Sequence, residues 1–429
     1  MSIAITILVF LALIMLSVNI GFALIIATLF NMFWIMPDTP LQVVFHQMTR
    51  GLDNFILLSI PFFIFAGNVM NFSGITVKIF NFANQMVGWI PGGLAHANVL
   101  ASIIFAGMSG SAVADAGGLG QIEMKAMKDA KFEPVFSAAV TAASSTIGPI
   151  IPPSVPMVVY AVMSGQSTGR LFMGGMIPGL LMGITTMIYI YYVSVKKQYP
   201  RIEFRISQIF SSFCSAFLPL MTPVIMIGGI LTGLFTPTEA AVVAVIYSLF
   251  LGVIVYREVK VAELPKLIFE SFQNTAAITI ITAAATGFAW LINIQGLPNR
   301  IAAMVSGMDM SVWLFLLFFN VFFLILGMFM EALSVIVIVV PVLVPIMQAM
   351  NLDPIHIGVV LVLNLMIGLL TPPVGMCLFV TAKVGGVTLE SLCKGIIPFL
   401  VPLVLVLLAI TYIPSLVTWF PNLIWGAAL

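Results

Sequence analysis

Long stretches of the chain carry no Asp, Glu, Lys or Arg, and they limit the possible folds more than any other feature. The four longest, 1–37, 79–114, 134–169 and 395–429, each exceed the ~20 apolar residues that span a bilayer core. The chain has 16 basic and 15 acidic residues, 7% of 429 in all, and 61% of its residues are hydrophobic. Soluble domains carry about 25% charged residues, so we expect a multi-pass protein of the lipid bilayer. A net charge of +1 offers no basic surface, so no nucleic-acid partner is expected.

Two of the apolar stretches are interrupted in the middle by proline-rich segments, IGPIIPPSVP at 147–156 and IGLLTPPVG at 367–375. Proline removes a backbone donor and clashes with the preceding turn, so both helices are predicted to break there. Irregular backbone at membrane depth is tolerated only where it is buried in protein or lines a polar cavity. These two segments, called the first and second break below, are therefore predicted to form the functional centre.

The two breaks belong to an internal repeat, because a shift of 220 residues superimposes them without a gap. The shift places Pro134, Pro152, Pro153 and Pro178 on Pro354, Pro372, Pro373 and Pro398. Each half also contains an apolar region with a glycine-rich middle, which we interpret as a re-entrant hairpin. Each half then makes five crossings, and since five is odd, the second half is predicted to be inverted relative to the first.

The predicted fold is an all-α polytopic membrane protein with about 10 crossings, two re-entrant hairpins and two broken helices. The first repeat covers 1–205, with scaffold spans in 1–70, a hairpin at 92–124, a broken helix at 132–164 and a span at 170–195. The second covers 206–429, with scaffold spans in 216–293, a hairpin at 312–349, a broken helix at 355–383 and a span at 395–419. Lys and Arg cluster in 125–131, 196–205 and 257–266, which predicts that these loops are cytoplasmic. Inverted repeats with paired discontinuous helices are typical of secondary transporters whose site lies near the bilayer midplane.

The first candidate site is AGMSGSAVADAGG at 106–118. Its small residues permit a tight hairpin tip, and the hydroxyls of Ser109 and Ser111 are suitable oxygen ligands for a hard cation. Asp115 is a carboxylate close to a charge-free stretch, and an ionisable group within a membrane is by default a functional candidate.

The second candidate site consists of the breaks themselves. Carbonyls freed at the ends of half-helices can coordinate a cation, and the N-termini of the following half-helices suit a carboxylate. The residues expected to offer carbonyls are Gly148, Ile151, Pro153, Gly368, Thr371 and Pro373. The predicted substrate contacts are Ser111, Asp115, Ser145, Ser154 and Asn364. Glu239 is interpreted as a helix cap, and Glu331 is a weaker candidate for substrate or proton contact.

Four motifs in order resemble the large membrane subunit of tripartite ATP-independent periplasmic (TRAP) transporters over essentially the whole chain. They are GMSGSAVADAGGLG, IGPIIPPS, GLFTPTEAAVVAV and PIHIGVVLVLNLMIGLLTPPVGMCLFV. The resemblance implies an elevator mechanism, Na⁺ coupling and a place in the bacterial inner membrane. It also implies a small four-helix membrane subunit, expected here as a separate chain, and a periplasmic binding protein that delivers an organic acid. The sequence is most similar to the sialic-acid branch, with C4-dicarboxylates as the alternative substrates.

The resemblance also implies two sodium sites. The first would use Ser109, Gly110 and Ser111 of the first hairpin tip with Gly148, Ile151 and Pro153 of the first break. The second would use Gly327 and Met330 with Gly368, Thr371 and Pro373. Because the second tip, GMFMEA, lacks the serines of the first, its ligands would be mostly backbone carbonyls.

Three alternatives follow from the same residues. Proton coupling through Asp115 is the second choice of energy source. An intramembrane enzyme would need a His-Glu metal pair, a Ser-His pair or an aspartate-rich motif, none of which the sequence shows, so we expect no enzyme. A passive channel is the third, and the mirrored broken helices favour alternating access over a continuous pore.

Overall fold

The structure, a computed structural model, describes residues 2–16, 18–307 and 310–426, without the side chains of residues 2, 107–109 and 306. The described chain is helical, and eight of its helices are long and apolar enough to cross a membrane. The predicted all-α polytopic class is confirmed.

Helices of the first half precede residue 206. They are α1 (Ser2–Met15), α2 (Ile20–Trp34), α3 (Leu41–Leu52), α4 (Ser59–Phe72), α5 (Ile75–Val87), α6 (Gly93–Ser109), α7 (Ala112–Gly117), α8 (Leu119–Asp129), α9 (Pro134–Ser145), α10 (Val155–Ser164) and α11 (Thr168–Lys197). Those of the second half are α12 (Ile206–Leu231), α13 (Pro237–Leu249), α14 (Leu264–Ile294), α15 (Leu297–Gly307), α16 (Val312–Phe329), α17 (Ala332–Ala349), α18 (Pro354–Gly368), α19 (Met376–Gly385), α20 (Leu389–Tyr412) and α21 (Ser415–Trp425).

The 220-residue shift relates helices as well as sequence motifs. It carries α6 onto α16, α9 onto α18, α10 onto α19 and α11 onto α20, each within a few residues at the start of the helix. The halves differ in the second arm of the hairpin, which is continuous in α17 but divided into α7 and α8 at Gly117 and Gly118. The backbone of Gly118 has φ −89° and ψ −81°, outside the helical region, and so interrupts that arm.

Both proline-rich segments break their helices where the sequence predicts. Helix α9 ends at Ser145 and α10 begins at Val155, while α18 ends at Gly368 and α19 begins at Met376. Each break contains one cis peptide bond, Pro152–Pro153 in the first and Pro372–Pro373 in the second.

Each broken helix is hydrogen bonded to the first arm of its own hairpin. In the first half, Asn98 of α6 donates to Thr141 Oγ1 at 2.7 Å and accepts from Ser144 Oγ at 2.6 Å. In the second half, Asn364 of α18 donates to the backbone oxygen and to Oδ1 of Asn320, each at 3.0 Å. These buried amide contacts connect each hairpin to the break of the same repeat.

The two broken helices also pack against each other across the repeat. Tyr160 of α10 is fully buried, and its ring covers Gly358 of α18. The Tyr160 hydroxyl donates to the Pro354 carbonyl at 2.6 Å. Glycine at 358 is what permits this approach, because an added Cβ would lie 2.3 Å from the ring carbon Cε1.

Substituting Gly358→Ala should therefore destabilise the contact between repeats. We expect the free energy of unfolding to fall by about 1–3 kcal/mol, the usual cost of overpacking, and the melting temperature in detergent to fall with it. Gly228→Ala in α12 is the matched control, since a Cβ there meets no atom within 4 Å. Equal melting temperatures for the two variants would contradict this packing.

Candidate transport site

The first hairpin tip lies against the first break. Gly110 has φ +61°, which favours glycine, and a Cβ added there would lie 2.9 Å from the Pro153 carbonyl oxygen. Ser111 accepts a hydrogen bond from the Ala114 amide at 3.4 Å and thereby caps α7. The contact brings carbonyls of an interrupted helix next to a tip that contains hydroxyl and backbone oxygens.

The second hairpin tip lies against the second break in the same way. A Cβ added at Gly368 would lie 2.6 Å from the Gly327 Cα, so the two backbones touch at a pair of glycines. The Gly375 amide also donates to the Met328 carbonyl at 3.4 Å. The chain thus contains two equivalent tip-to-break contacts, one from each repeat.

The two breaks are close to each other as well. Asp115 is buried, and a Cβ added at Gly148 would lie 2.4 Å from its Oδ2 atom, so this carboxylate covers the first break. At the second break, α19 packs against α7 and α9. Cys377, in the first turn of α19, lies beside Ser145 at the end of α9.

A cavity of about 390 Å³ joins these elements. Both tips line it, with residues 110–114 and 331–333, and both breaks contribute, with Pro149, Val155, Pro156, Met366, Leu369 and Met376. The remaining wall comes from scaffold helices α4 and α14, through Ile64, Gly67, Asn68, Asn71, Asn274, Ala277, Ile278 and Ile281. Both hairpin tips and both broken helices, which the sequence predicted as the functional centre, therefore line one cavity.

The predicted site residues occupy three kinds of position. Gly110 and Ser111 line the cavity, while Pro153, Gly327 and Gly368 are buried at the two tip-to-break contacts. Gly148 is buried against Asp115, and Ile151 is buried against Gly179 of α11. Met330 and Thr371 are half-buried and Pro373 is exposed. The side chain of Ser109 lies outside the described part of the chain. All of these assignments as sodium ligands remain predictions.

Of the predicted substrate contacts, Ser111 lines the cavity and Asp115 lies buried beside the first break. Ser145, Ser154 and Asn364 are buried, and their side chains donate to Ala142, Pro149 and Asn320 respectively. Glu331 lies at the second tip and lines the cavity. Glu239 forms a capping box with Thr236, so its interpretation as a helix cap is confirmed.

Three polar cavity residues on the scaffold helices, Asn68, Asn71 and Asn274, were not predicted from the sequence. The spacing of residues in the sequence could have identified them. The lining positions 64, 67, 68 and 71 of α4 and 274, 277, 278 and 281 of α14 both follow the i, i+3, i+4, i+7 spacing of one helix face. Asn68 Nδ2 donates to Ser271 Oγ at 2.8 Å, which ties α4 to α14 behind the cavity.

Comparison with known proteins gives the same result as the motifs. Residues 7–416 match the family described as the DctM component of the tripartite ATP-independent periplasmic transporters. The chain belongs to this TRAP transporter family.

Individual relatives cover almost the whole chain. It is 44% identical to the sialic acid TRAP transporter large permease protein SiaM of Vibrio cholerae, over 95% of each chain. It is 41% identical to the sialic acid TRAP transporter permease protein SiaT of Haemophilus influenzae, over 99% of this chain and 69% of that one. It is also 41% identical to the C4-dicarboxylate TRAP transporter large permease protein DctM of Pseudomonas aeruginosa, over 86% and 87% of the two chains.

The fold also occurs among solved structures. The YdaH transporter of Alcanivorax borkumensis superimposes with a TM-score of 0.65 at 14% identity, over 89% of this chain and 90% of that one. This TRAP large permease is therefore an inner-membrane transport protein and not an enzyme, as the sequence predicts.

The glycine pair at the second tip provides a test of the site. Gly368→Ala places a methyl group against the Gly327 backbone, so the tip and the break must separate. We expect the transport rate in reconstituted vesicles to fall roughly 10- to 100-fold, as small misplacements of a site do, with normal membrane insertion. Gly307→Ala, whose Cβ meets no atom within 4 Å, should transport like the wild type. If Gly368→Ala transports at the wild-type rate, the contact between Gly327 and Gly368 is not required for transport.

Proposed function

We propose that this TRAP large permease imports an organic acid together with Na⁺, with sialic acid as the first candidate substrate. The observation that carries the proposal is the single cavity bounded by both tips, both breaks and the scaffold helices α4 and α14. The sialic acid named for two relatives supports the choice of substrate, and the dicarboxylates named for another make C4-dicarboxylates the second candidate.

The two tip-to-break contacts are the proposed sodium sites. Na⁺ is a hard cation that takes oxygen ligands, and each contact places backbone carbonyls of a helix end beside a hairpin tip. The C-terminal ends of α9 and α18 add the negative end of a helix dipole at each site. Coordination there would hold each tip closed on its break while an ion is bound.

The substrate carboxylate is proposed to bind in the cavity between these sites. The N-termini of α10 and α19 begin at the cavity wall, and a helix N-terminus favours an anion. The amides of Asn71 and Asn274 supply hydrogen-bond donors from the scaffold side. A volume of about 390 Å³ lies within the range of about 300–1,000 Å³ that is usual for small-molecule sites.

An elevator mechanism fits the placement of the cavity along the scaffold. The cavity is lined by positions 274–281 in the middle of α14, which are closer along the helix to the basic loop 257–266, the proposed cytoplasmic side, than to Ile294. In the elevator, α6–α10 and α16–α19 form a moving unit that slides along α4 and α14 toward the other face. Moving from Ile278 to Trp290 of α14 corresponds to roughly 18 Å at the rise of an α-helix.

TRAP transporters are tripartite, so the large permease works with a small membrane subunit and a periplasmic binding protein. For this chain we propose a small four-helix subunit beside the scaffold and a binding protein that delivers the organic acid. The carboxylate would reach the permease from the outer side and leave on the side of the basic loops.

Proton coupling is the second candidate, and one observation favours it. The Asp115 carboxylate is buried directly over Gly148 of the first break, where a change of its charge would act on the break itself. In this alternative mechanism, a proton would replace Na⁺ as the coupled ion, and the fold and the cavity would be the same.

Uptake by proteoliposomes that contain the permease, its small subunit and the loaded binding protein tests the coupling. With an imposed Na⁺ gradient we expect accumulation of labelled sialic acid, and at least tenfold less when K⁺ replaces Na⁺ at constant pH. Uptake that ignores Na⁺, follows a pH gradient and is lost in Asp115→Asn would instead establish proton coupling. Accumulation of succinate but not sialic acid would favour the dicarboxylate assignment.

The sliding motion is tested by crosslinking in a chain without native cysteines. Val113→Cys, at the first tip, should form a crosslink with Ile278→Cys and, in a second variant, with Trp290→Cys. Both crosslinks are expected because the tip would lie beside each of these positions of α14 at different stages of transport. A pair of Val113→Cys with Tyr192→Cys, which is exposed on α11, is the control and should not couple. Coupling only to position 278, with full transport after crosslinking, would contradict an elevator.

A further inference from the structure

A second pocket lies on the same scaffold face, at the other end of α14. It has a volume of about 400 Å³ and opens between α3 and α14 on one side and α10 and α17 on the other. Gln47, Arg50 and Asn54 line it from the α3 side, Asn293 from α14, and Val162 and Pro341 from the moving unit. We call it the outer pocket, because it faces away from the basic loop 257–266.

Arg50 gives this pocket its charge. Among the described residues that line it, Arg50 is the one with an ionised side chain, and it is exposed to solvent. Gln47, Asn54 and Asn293 add amide groups, which donate hydrogen bonds to carboxylate oxygens. Asp53, the nearest carboxylate along the chain, is exposed and lies outside the pocket lining.

The repeat relates this pocket to the cavity between the tips, the breaks and helices α4 and α14, called the central cavity here. The 220-residue shift carries Asn54 of the outer pocket onto Asn274, which lines the central cavity closer to the basic loop 257–266. The same shift carries Arg50 onto Glu270, whose carboxylate lies 3.9 Å from Lys266. The amide is thus kept at both ends, whereas the lone cation occurs at the outer end and a neutral ion pair at the inner one.

We propose that the outer pocket is a binding site for the carboxylate of the arriving organic acid, held by Arg50 and the neighbouring amides before it enters the central cavity. The guanidinium is suited to this task because it binds a carboxylate with two parallel hydrogen bonds. Residues of both the scaffold and the moving unit line the pocket. A carboxylate bound there would therefore be next to the moving unit when the tips reach the outer side. The inference rests on the proposed import of an organic acid.

The charge of the pocket can be measured without transport. In a chain without native cysteines, Asn293→Cys is labelled from outside with an anionic and a cationic methanethiosulfonate of similar size. The rate of labelling by the anionic reagent, divided by the rate for the cationic reagent, should be roughly fivefold higher with Arg50 than with Arg50→Gln at low ionic strength. Added salt should reduce this difference. Asn274→Cys, labelled in inverted vesicles, is the matched control, and its ratio should not change with Arg50→Gln. Equal ratios with and without Arg50 would overturn the assignment.

The role in transport is tested at saturating loaded binding protein. We expect Arg50→Gln to lower the maximal uptake rate about tenfold, with partial recovery in Arg50→Lys, and to leave the half-saturating concentration of binding protein unchanged. Arg300→Gln, an exposed arginine outside the pocket lining, should behave as wild type.

Each other outcome has a distinct meaning. A raised half-saturating concentration with an unchanged maximal rate would make Arg50 a docking residue for the binding protein and overturn the proposal. Unchanged uptake in Arg50→Gln would overturn it as well. If wild-type vesicles accumulate neither sialic acid nor succinate, the proposed function fails, and that result is separate from the labelling ratio.

Discussion

The structure depends on one constraint, which is that backbone amides and carbonyls inside a bilayer must be satisfied without water. Two helices of this chain are interrupted at membrane depth by paired prolines, so each exposes polar backbone that lipid cannot accommodate. The fold meets the requirement by burying each break against a hairpin tip of its own repeat and by packing α19, which follows the second break, against α9, which ends at the first. The cavity between the tips, the breaks and the scaffold is a consequence of that arrangement.

Glycine and asparagine have complementary roles in this arrangement. Gly110, Gly327 and Gly368 allow the backbone of each tip to approach the backbone of its break closely. Asn98 and Asn320 then fix each hairpin arm to its broken helix through buried hydrogen bonds. Oxygens held in this way need little reorganisation to coordinate a cation, and the flanking helix termini add oriented dipoles. Rigid units of this kind are suited to movement as one body along a scaffold.

Much of the fold could be predicted from the sequence, because proline position and charge-free length act locally on the backbone. The doubled prolines placed both breaks, and the membrane class followed from the scarcity of charge. Partners distant along the chain could not be predicted. The sequence did not indicate that the Asn364 amide donates to Asn320, 44 residues away, and the role of Asn364 as a substrate contact stays a prediction. The scaffold asparagines of the cavity come from helices that sequence alone does not place beside the tips.

The most direct test of this account asks whether the two breaks meet. Ser145 ends α9 before the first break, and the native Cys377 lies in the first turn of α19 after the second break, 232 positions away in the sequence. Helices α9 and α19 pack against each other, and Cys377 lies beside Ser145. Ser145→Cys in the full chain, treated with a membrane-permeant oxidant, should form a disulfide with Cys377 that mass spectrometry of digested protein detects. Cys377→Ser in the same background should abolish it. If the Ser145→Cys chain stays folded but never crosslinks to Cys377, the breaks do not share a chamber and the account is wrong.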